Sequence, residues 1–366
     1  MKRFYFRFAS ILIALFVISS AARSQPGNTE LLEAIKSVER QFESLNHRLD
    51  VVEKMIDDVQ WYNRVGDIAF VEKVYMTGPP PAREPNPTAQ GAGNPLKFWS
   101  YIFFPKNIDP SKKYPLLVFP HGGVHSNLST YYTHIIRELV TQGYIIVAAE
   151  YRGSTGYGGG HYRNIDYGGL EVQDVDASRQ YMLDNYDIID KNRVGIFGWS
   201  HGGLITLFNI FEYPDNYKVA YAGVPVSDLI ARMGYKTQSY RDLYSADYHI
   251  GKTAYADVEE YRRRSPAWQA HKYQGTPLLI HTNTIDADVN VLEVEHLIKT
   301  LKAENKKNFT YKIYEDIPGG HSFDRMDHKQ AKEIRINIYK HLNKYLSPEH
   351  PFQSMSDMQK AGYVYE

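Results

Sequence analysis

The chain is 366 residues long, 43% hydrophobic and 23% charged, which excludes a disordered or fibrous protein and leaves enough interior for a sizeable core. Basic and acidic residues balance at 42 each, so the charge offers no footprint for nucleic acid or an anionic membrane surface. Cysteine is absent, which removes disulfides, thiol nucleophiles and Cys-ligated zinc; a covalent nucleophile has to be an oxygen or a nitrogen.

Lys2, Arg3 and Arg7 precede the apolar run Phe8 to Ile18, and the small residues Ser19, Ser20, Ala21 and Ala22 follow. Charge, apolar stretch and small-residue exit are the order of a secretory signal. The stretch is about 11 residues, whereas a membrane-spanning helix needs roughly 20. Residues 1–24 are therefore predicted to be a signal peptide, cleaved near Ser24 or Gln25, leaving a mildly acidic, secreted or periplasmic chain with no membrane span.

In residues 25–65, Ile35, Val38, Phe42, Leu45, Leu49, Val52, Ile56 and Val59 alternate steps of three and four, which only a helix turns into one stripe. This predicts an amphipathic heptad helix from Glu30 to about Tyr62. Self-association through residues 29–62 as a coiled coil is one expectation, with the helix separable from the rest of the chain; docking of the stripe onto the body is the other. Residues 66–96 hold a short strand, Ile68 to Met76, and then a Pro/Gly-rich linker or surface loop that starts at Gly78-Pro79-Pro80-Pro81.

From residue 97 to 346, short apolar runs alternate with helical stretches: Trp99 to Phe104, Leu116 to Pro120, a helix from Thr130, Ile145 to Ala149, a helix from Gln173, and Val194 to Trp199. The rhythm continues with a helix from Gly202, Val219 to Val224, Leu278 to His281, a helix from Leu292, Thr310 to Tyr314, and a helix from Lys329 to Tyr345. Strand and helix in turn predict an α/β fold, a mostly parallel sheet covered on both faces. A Tyr- and Arg-rich helical insertion, residues 225–275, interrupts it, and residues 347–366 read as a C-terminal tail.

Gly198-Trp199-Ser200-His201-Gly202 lies between a buried strand and a helix, the context of a nucleophile elbow. A serine hydroxyl needs a histidine to take its proton and an acid to orient that histidine. Both are supplied downstream in the order this elbow requires: Asp286 after the strand Leu278 to His281, with Asp288 as a competitor, and His321 in Gly319-Gly320-His321-Ser322 after Thr310 to Tyr314. Oxyanion donors are expected from the amide of His201 and from Gly122 or Gly123, in the loop His121-Gly122-Gly123-Val124-His125. Tyr157 and Trp199 are candidate substrate-binding side chains. His121 and His125 stand four apart, yet a helix across Gly122-Gly123 is not expected, so no metal is assigned. The run Gly153 to Gly160 follows the wrong strand for a dinucleotide fingerprint, and no cofactor is implied.

Four segments resemble the prolyl oligopeptidase group of serine peptidases in their α/β-hydrolase domain. They are Pro120-His121-Gly122-Gly123, Glu150-Tyr151-Arg152-Gly153-Ser154-Thr155-Gly156-Tyr157-Gly158, Gly195 to Gly203, and Arg264-Ser265-Pro266 ahead of Thr276-Pro277-Leu278-Leu279. The resemblance spans about residues 97–346. It implies a Ser200, Asp286, His321 triad and acyl transfer on peptide or ester bonds without metal or cofactor. Members usually carry a β-propeller ahead of this domain, and a Gly after the histidine that precedes the acid loop; here a helix and linker precede, and Thr282 follows His281. The expected function is a serine-type peptidase. A carboxylesterase for acylated carbohydrate or aromatic esters is the alternative, since Tyr235, Tyr240, Tyr244 and Tyr248 would stack such groups. An inactive oligomeric binding module is the third reading.

Overall fold

The computed structural model describes residues 29–84 and 86–362; the expected signal peptide lies outside them. Eight strands form one sheet in the order β1-β2-β4-β3-β5-β6-β7-β8. They are β1 (Ala69–Gly78), β2 (Leu96–Pro105), β3 (Tyr114–Val118), β4 (Ile145–Ala149), β5 (Ile189–Trp199), β6 (Val219–Gly223), β7 (Leu278–Asn283) and β8 (Phe309–Tyr314). β1 and β2 are antiparallel; every pair from β4 across to β8 is parallel.

The central strands read as unbroken apolar runs because both of their faces are buried. Leu116, Val118, Val194 and Ile196 point into one core, beneath the helices Leu170–Asn185, His201–Glu212 and Val291–Ala303. Their neighbours Leu117, Phe119, Phe197 and Trp199 point into the other, beneath Thr133–Thr141 and Lys329–Leu346. The period of two along each strand assigns each side chain to its face.

The sheet places β3 between β4 and β5, out of chain order, so the winding reverses there. In an open parallel sheet that reversal leaves a crevice at the carboxyl ends of the two strands. The loop with Gly122 and Gly123 leaves β3 and the elbow with Ser200 leaves β5, so both expected halves of the nucleophile site emerge at this crevice.

The strand expected at Ile68 to Met76 is β1, which runs on to Gly78 and pairs with β2 along its whole length, Ala69 opposite Pro105 through Gly78 opposite Leu96. The following Pro-rich run is held as an ordered loop, since Arg152 donates to the carbonyls of Pro79 and Pro80 at 2.7 and 3.2 Å. The segment read as a C-terminal tail packs on the body over residues 347–362; Phe352, Met358 and Ala361 are buried in the second core, and Arg137 donates to the carbonyls of Ala361 and Gly362. The insertion is helical as expected, with helices Leu229–Tyr235, Gln238–Ser245 and Val258–Arg263.

The N-terminal helix, Thr29–Val65, docks on the body by a face that the heptad spacing does not mark. Trp61 and Val65 are fully buried in the second core. Lys54, 3% exposed, donates to the carbonyl of Leu128 and lies 3.3 Å from the carboxylate of Glu150, itself fully buried. A buried carboxylate at the end of an apolar strand requires such a partner. The helix is therefore an integral part of the body, not the separable appendage that the spacing suggested.

Candidate active site

Ser200 adopts φ 59° and ψ −121° between β5 and the helix His201–Glu212. That left-handed backbone is uncommon outside glycine, and here it projects the hydroxyl from a sharp strand-to-helix turn. The flanking glycines answer to packing. A Cβ at Gly202 would lie 2.2 Å from the carbonyl oxygen of Pro120, and one at Gly198 would lie 2.5 Å from that of Gly202. The turn is pinned on its far side too, where Ser200 donates its amide to Gly223 and accepts from that of Val226. Val224, between them, has φ 39°, a genuine strain for a β-branched residue.

The β3 loop comes against this turn. A Cβ at Gly122 would sit 3.0 Å from the carbonyl of Trp199 and 3.5 Å from the Cβ of Ser200, while Gly123 takes φ 77°. The first amides of a helix have no intrahelical acceptor, so the amide of His201 is a donor at the position where charge would develop. Tyr132 also reaches this loop, its hydroxyl 3.4 Å from the same Gly122 position, and burial pushes its phenol above the ordinary value. No motif pointed to it.

His121 and His125 build the loop. The imidazole of His121 is fully buried, stacked on Tyr151 with centroids 4.3 Å apart. It donates from Nε2 to the Ser154 hydroxyl at 2.9 Å, and Tyr151 donates back to the carbonyl of His121. His125 bonds the Gly153 carbonyl at 2.8 Å, and Thr155 donates its amide to Ser126. The segment Glu150 to Thr155 is thus the back support of the oxyanion loop. It is anchored in turn by Arg152, whose guanidinium grips Asp174 at 2.7 and 2.8 Å inside the body.

Asp286 and His321 come together from the ends of the adjacent strands β7 and β8. Nδ1 of His321 meets Oδ2 of Asp286 at 2.7 Å. The other carboxylate oxygen accepts the amides of Asp288 and Val289 at 2.8 and 2.9 Å, and the Asp286 side chain is fully buried. A carboxylate so held keeps Nδ1 protonated and leaves Nε2 as the basic nitrogen. Asp288, the competitor, points elsewhere and pairs with Lys236 at 2.9 Å. Burial works against its charge, but Lys236 and the nearby cationic groups override that and hold it below the usual carboxylate range.

Two side chains that the motifs did not mark position this pair. Asn283, the last residue of β7, donates to the carbonyls of Ile317 and Gly320 and accepts the amide of Ile317, which fastens the His321 loop to the strand carrying Asp286. Arg232, 4% exposed, donates at 3.0 Å to the Asp288 carbonyl and at 3.0 Å to Glu293, so the insertion clamps the acid loop. Thr282, which stands where the family commonly has Gly, is buried within β7.

The two candidate substrate-binding side chains are both engaged within the fold. Trp199 is 2% exposed, donates its indole N–H to Asp324 and packs edge-on against Phe119, Phe197 and Tyr221; the strand alternation turns it into the core. Tyr157 faces the N-terminal helix and β1, under the ammonium of Lys73. The insertion tyrosines are likewise engaged: Tyr240 stacks on Tyr244 with their hydroxyls 2.7 Å apart, and Tyr235 bonds Glu293. Among the described residues no group of three or more metal-ligating side chains occurs, and no helix is long and apolar enough to cross a membrane.

The profile of the prolyl oligopeptidase family matches residues 130–349, well over half of the sequence. The chain belongs to the prolyl oligopeptidase family. Dipeptidyl peptidase 8 of Mus musculus is 30% identical over 220 residues, covering 57% of this chain and 23% of that protein. The acylamino-acid-releasing enzyme of Sus scrofa is 28% identical over 244 residues, covering 65% and 32%. Among solved structures, an acylaminoacyl peptidase in complex with Z-Gly-Gly-Phe-chloromethyl ketone superposes with a TM-score of 0.63 at 18% identity, over 82% of this chain and 45% of that one. The fold is accordingly the α/β-hydrolase fold of prolyl oligopeptidase family members. This chain spans about a quarter to a third of the length of these two curated relatives.

Proposed function

We propose that this protein is an exported serine hydrolase that cleaves peptide bonds through an acyl-enzyme. Ser200 Oγ attacks the scissile carbonyl carbon while His321 Nε2 takes its proton, and Asp286 stabilises the imidazolium that forms. The oxyanion is held by the amides of His201 and of Gly122 or Gly123. His321 then gives its proton to the departing amine, and a water molecule, deprotonated by the same nitrogen, releases the acid and restores Ser200.

The observation that carries this reading is the 2.7 Å bond between His321 and a buried, doubly amide-bonded Asp286, on the same edge of the sheet as a strained serine elbow. Peptide substrates are favoured because a curated relative and a solved neighbour are named as peptidases. Three of the four tyrosines that motivated an ester substrate, Tyr235, Tyr240 and Tyr244, are occupied with one another and with Glu293. Export rests on the order of residues 2–22, and self-association on the spacing of the N-terminal helix.

The test is labelling by a fluorophosphonate together with turnover of paired peptide anilides, free and blocked at the amine, and short acyl esters. Wild type is expected to label and to cleave anilides, and Ser200→Ala to do neither. Cleavage of esters alone would overturn the peptidase assignment; absence of label on folded protein would overturn the hydrolase.

A further inference from the structure

The apolar stripe of the N-terminal helix is not the face that meets its own body. With Phe42, Leu49 and Ile56 at the first heptad position, and Leu45, Val52 and Val59 at the fourth, residues His47, Lys54 and Trp61 fall at the sixth, directly opposite the seam. These opposite residues make the docking contacts. His47 packs on Tyr162 with centroids 5.0 Å apart, Lys54 reaches Glu150, and Trp61 is fully buried. Neighbours on the same side add Glu43 to Arg163 at 2.6 Å and Asp57 to the Thr130 hydroxyl at 2.6 Å.

The seam itself faces outward. Ile35 is buried, but Val38, Leu45, Leu49, Val52, Ile56 and Val59 are 46%, 48%, 52%, 52%, 59% and 62% exposed. At about 1.5 Å per residue, that run extends roughly 30 Å. A strict three-four stripe of this length is shaped for a second helix of the same spacing, because only another heptad seam stays in contact along it.

Building on the self-association reading above, we propose that a second copy of this chain occupies the seam, with its helix parallel and in register. The flanking charges select that orientation. Arg48 holds the seventh position, just before the first position at Leu49, and Glu53 follows the fourth at Val52. Parallel pairing sets Arg48 of each helix beside Glu53 of the other, twice by the two-fold axis. Antiparallel pairing over the same seam sets Arg48 against Arg48 on one flank and Glu39 against Glu53 on the other, like charges on both sides. The hydrolase bodies, held on the outer faces, then lie on opposite sides of the helix pair and clear of the contact.

A cysteine-free chain makes the test clean. Light scattering is expected to give the mass of two copies. The full chain carrying Val52→Cys is expected to oxidise to a disulfide-linked pair, because position 52 meets itself only in the parallel arrangement; antiparallel pairing separates the two copies of it by roughly 15 Å. Arg48→Glu is expected to weaken the pair about tenfold, and adding Glu53→Arg to restore it. Leu49→Asp with Ile56→Asp, both at exposed positions, is expected to give a monomer with unchanged circular dichroism.

A monomeric wild type would overturn both self-association and orientation, as it would if residues 1–28 of the same chain covered the seam. A two-copy mass without disulfide in the Val52→Cys chain would overturn the parallel arrangement alone. A two-copy mass that survives the double aspartate change would overturn the seam as the contact.

Discussion

Trp199 donates its indole N–H to Asp324 at 2.7 Å, which ties the residue before Ser200 to the residue three beyond His321. Tyr221 donates to the same carboxylate oxygen at 2.8 Å, and the guanidinium of Arg325 lies 5.3 Å from the Trp199 ring centre. The strand that leads to Ser200 and the loop that holds His321 are thus joined through a fully buried carboxylate. The relative placement of two groups from distant parts of the chain does not depend on their own loops alone.

Trp199→Phe keeps the ring but leaves Asp324 without its indole donor. The expected result is a fall in kcat of about tenfold with KM little changed, since a positioning contact acts on the reacting geometry. Steady-state kinetics on a peptide anilide measure it; a change confined to KM would argue for a substrate contact instead.

The two neighbouring acids should separate cleanly. Asp286→Asn preserves the shape but favours the wrong tautomer of His321, and a loss in kcat of about 10⁴ is expected. Asp288→Asn removes a pair with Lys236 and a longer one with Arg232, neither involving His321, and should change kcat by less than about threefold. Equal losses in both variants would refute the assignment of Asp286.

Lys54→Met leaves Glu150 buried without its cation. Destabilisation of about 3 to 5 kcal/mol is expected in urea unfolding. Lys54→Met combined with Glu150→Gln should recover much of it, because the second change removes the stranded charge. Deletion of residues 29–62 should unfold the hydrolase body; a soluble, active deletion product would show that the docking contacts are dispensable.

Stability should peak near neutral pH and decline on both sides. Burial pushes His125, His281 and His341 each down to about 4. The unfolded chain binds protons at these sites below about 6.5, so stability is lost as pH falls through that window toward 4. Glu171 is fully buried, and desolvation, aided by the charge of Asp166, raises it to about 8. It stays protonated in the folded state while the unfolded one ionises above about 4.5, so its contribution is lost as pH rises through 8. Each group contributes at most about 1.4 kcal/mol per pH unit within its window. Urea midpoints between pH 4 and 9 measure both limbs, and Glu171→Gln should flatten the alkaline one; an unchanged slope would remove Glu171 as its source.

Much of the site could be read locally. The glycines around Ser200 follow from a turn too tight for side chains, and the alternation of apolar runs with helices implies the parallel sheet, because each signal is contained in a few consecutive residues. Nothing local marked Glu150 as a buried charge or Lys54 as its partner; that pairing is a product of the fold. The sequence already favours Asp286 over Asp288, and the tertiary structure supplies the reason: both lie on one loop, and its curvature brings the Asp286 carboxylate to His321. The helix shows the same division. Spacing alone defined its apolar seam, but which face would dock was decided by the body, where Lys54 meets Glu150 and the Leu128 carbonyl and Trp61 is buried in the second core. Periodicity is a property of the chain, whereas complementarity belongs to the surfaces that folding brings opposite each other.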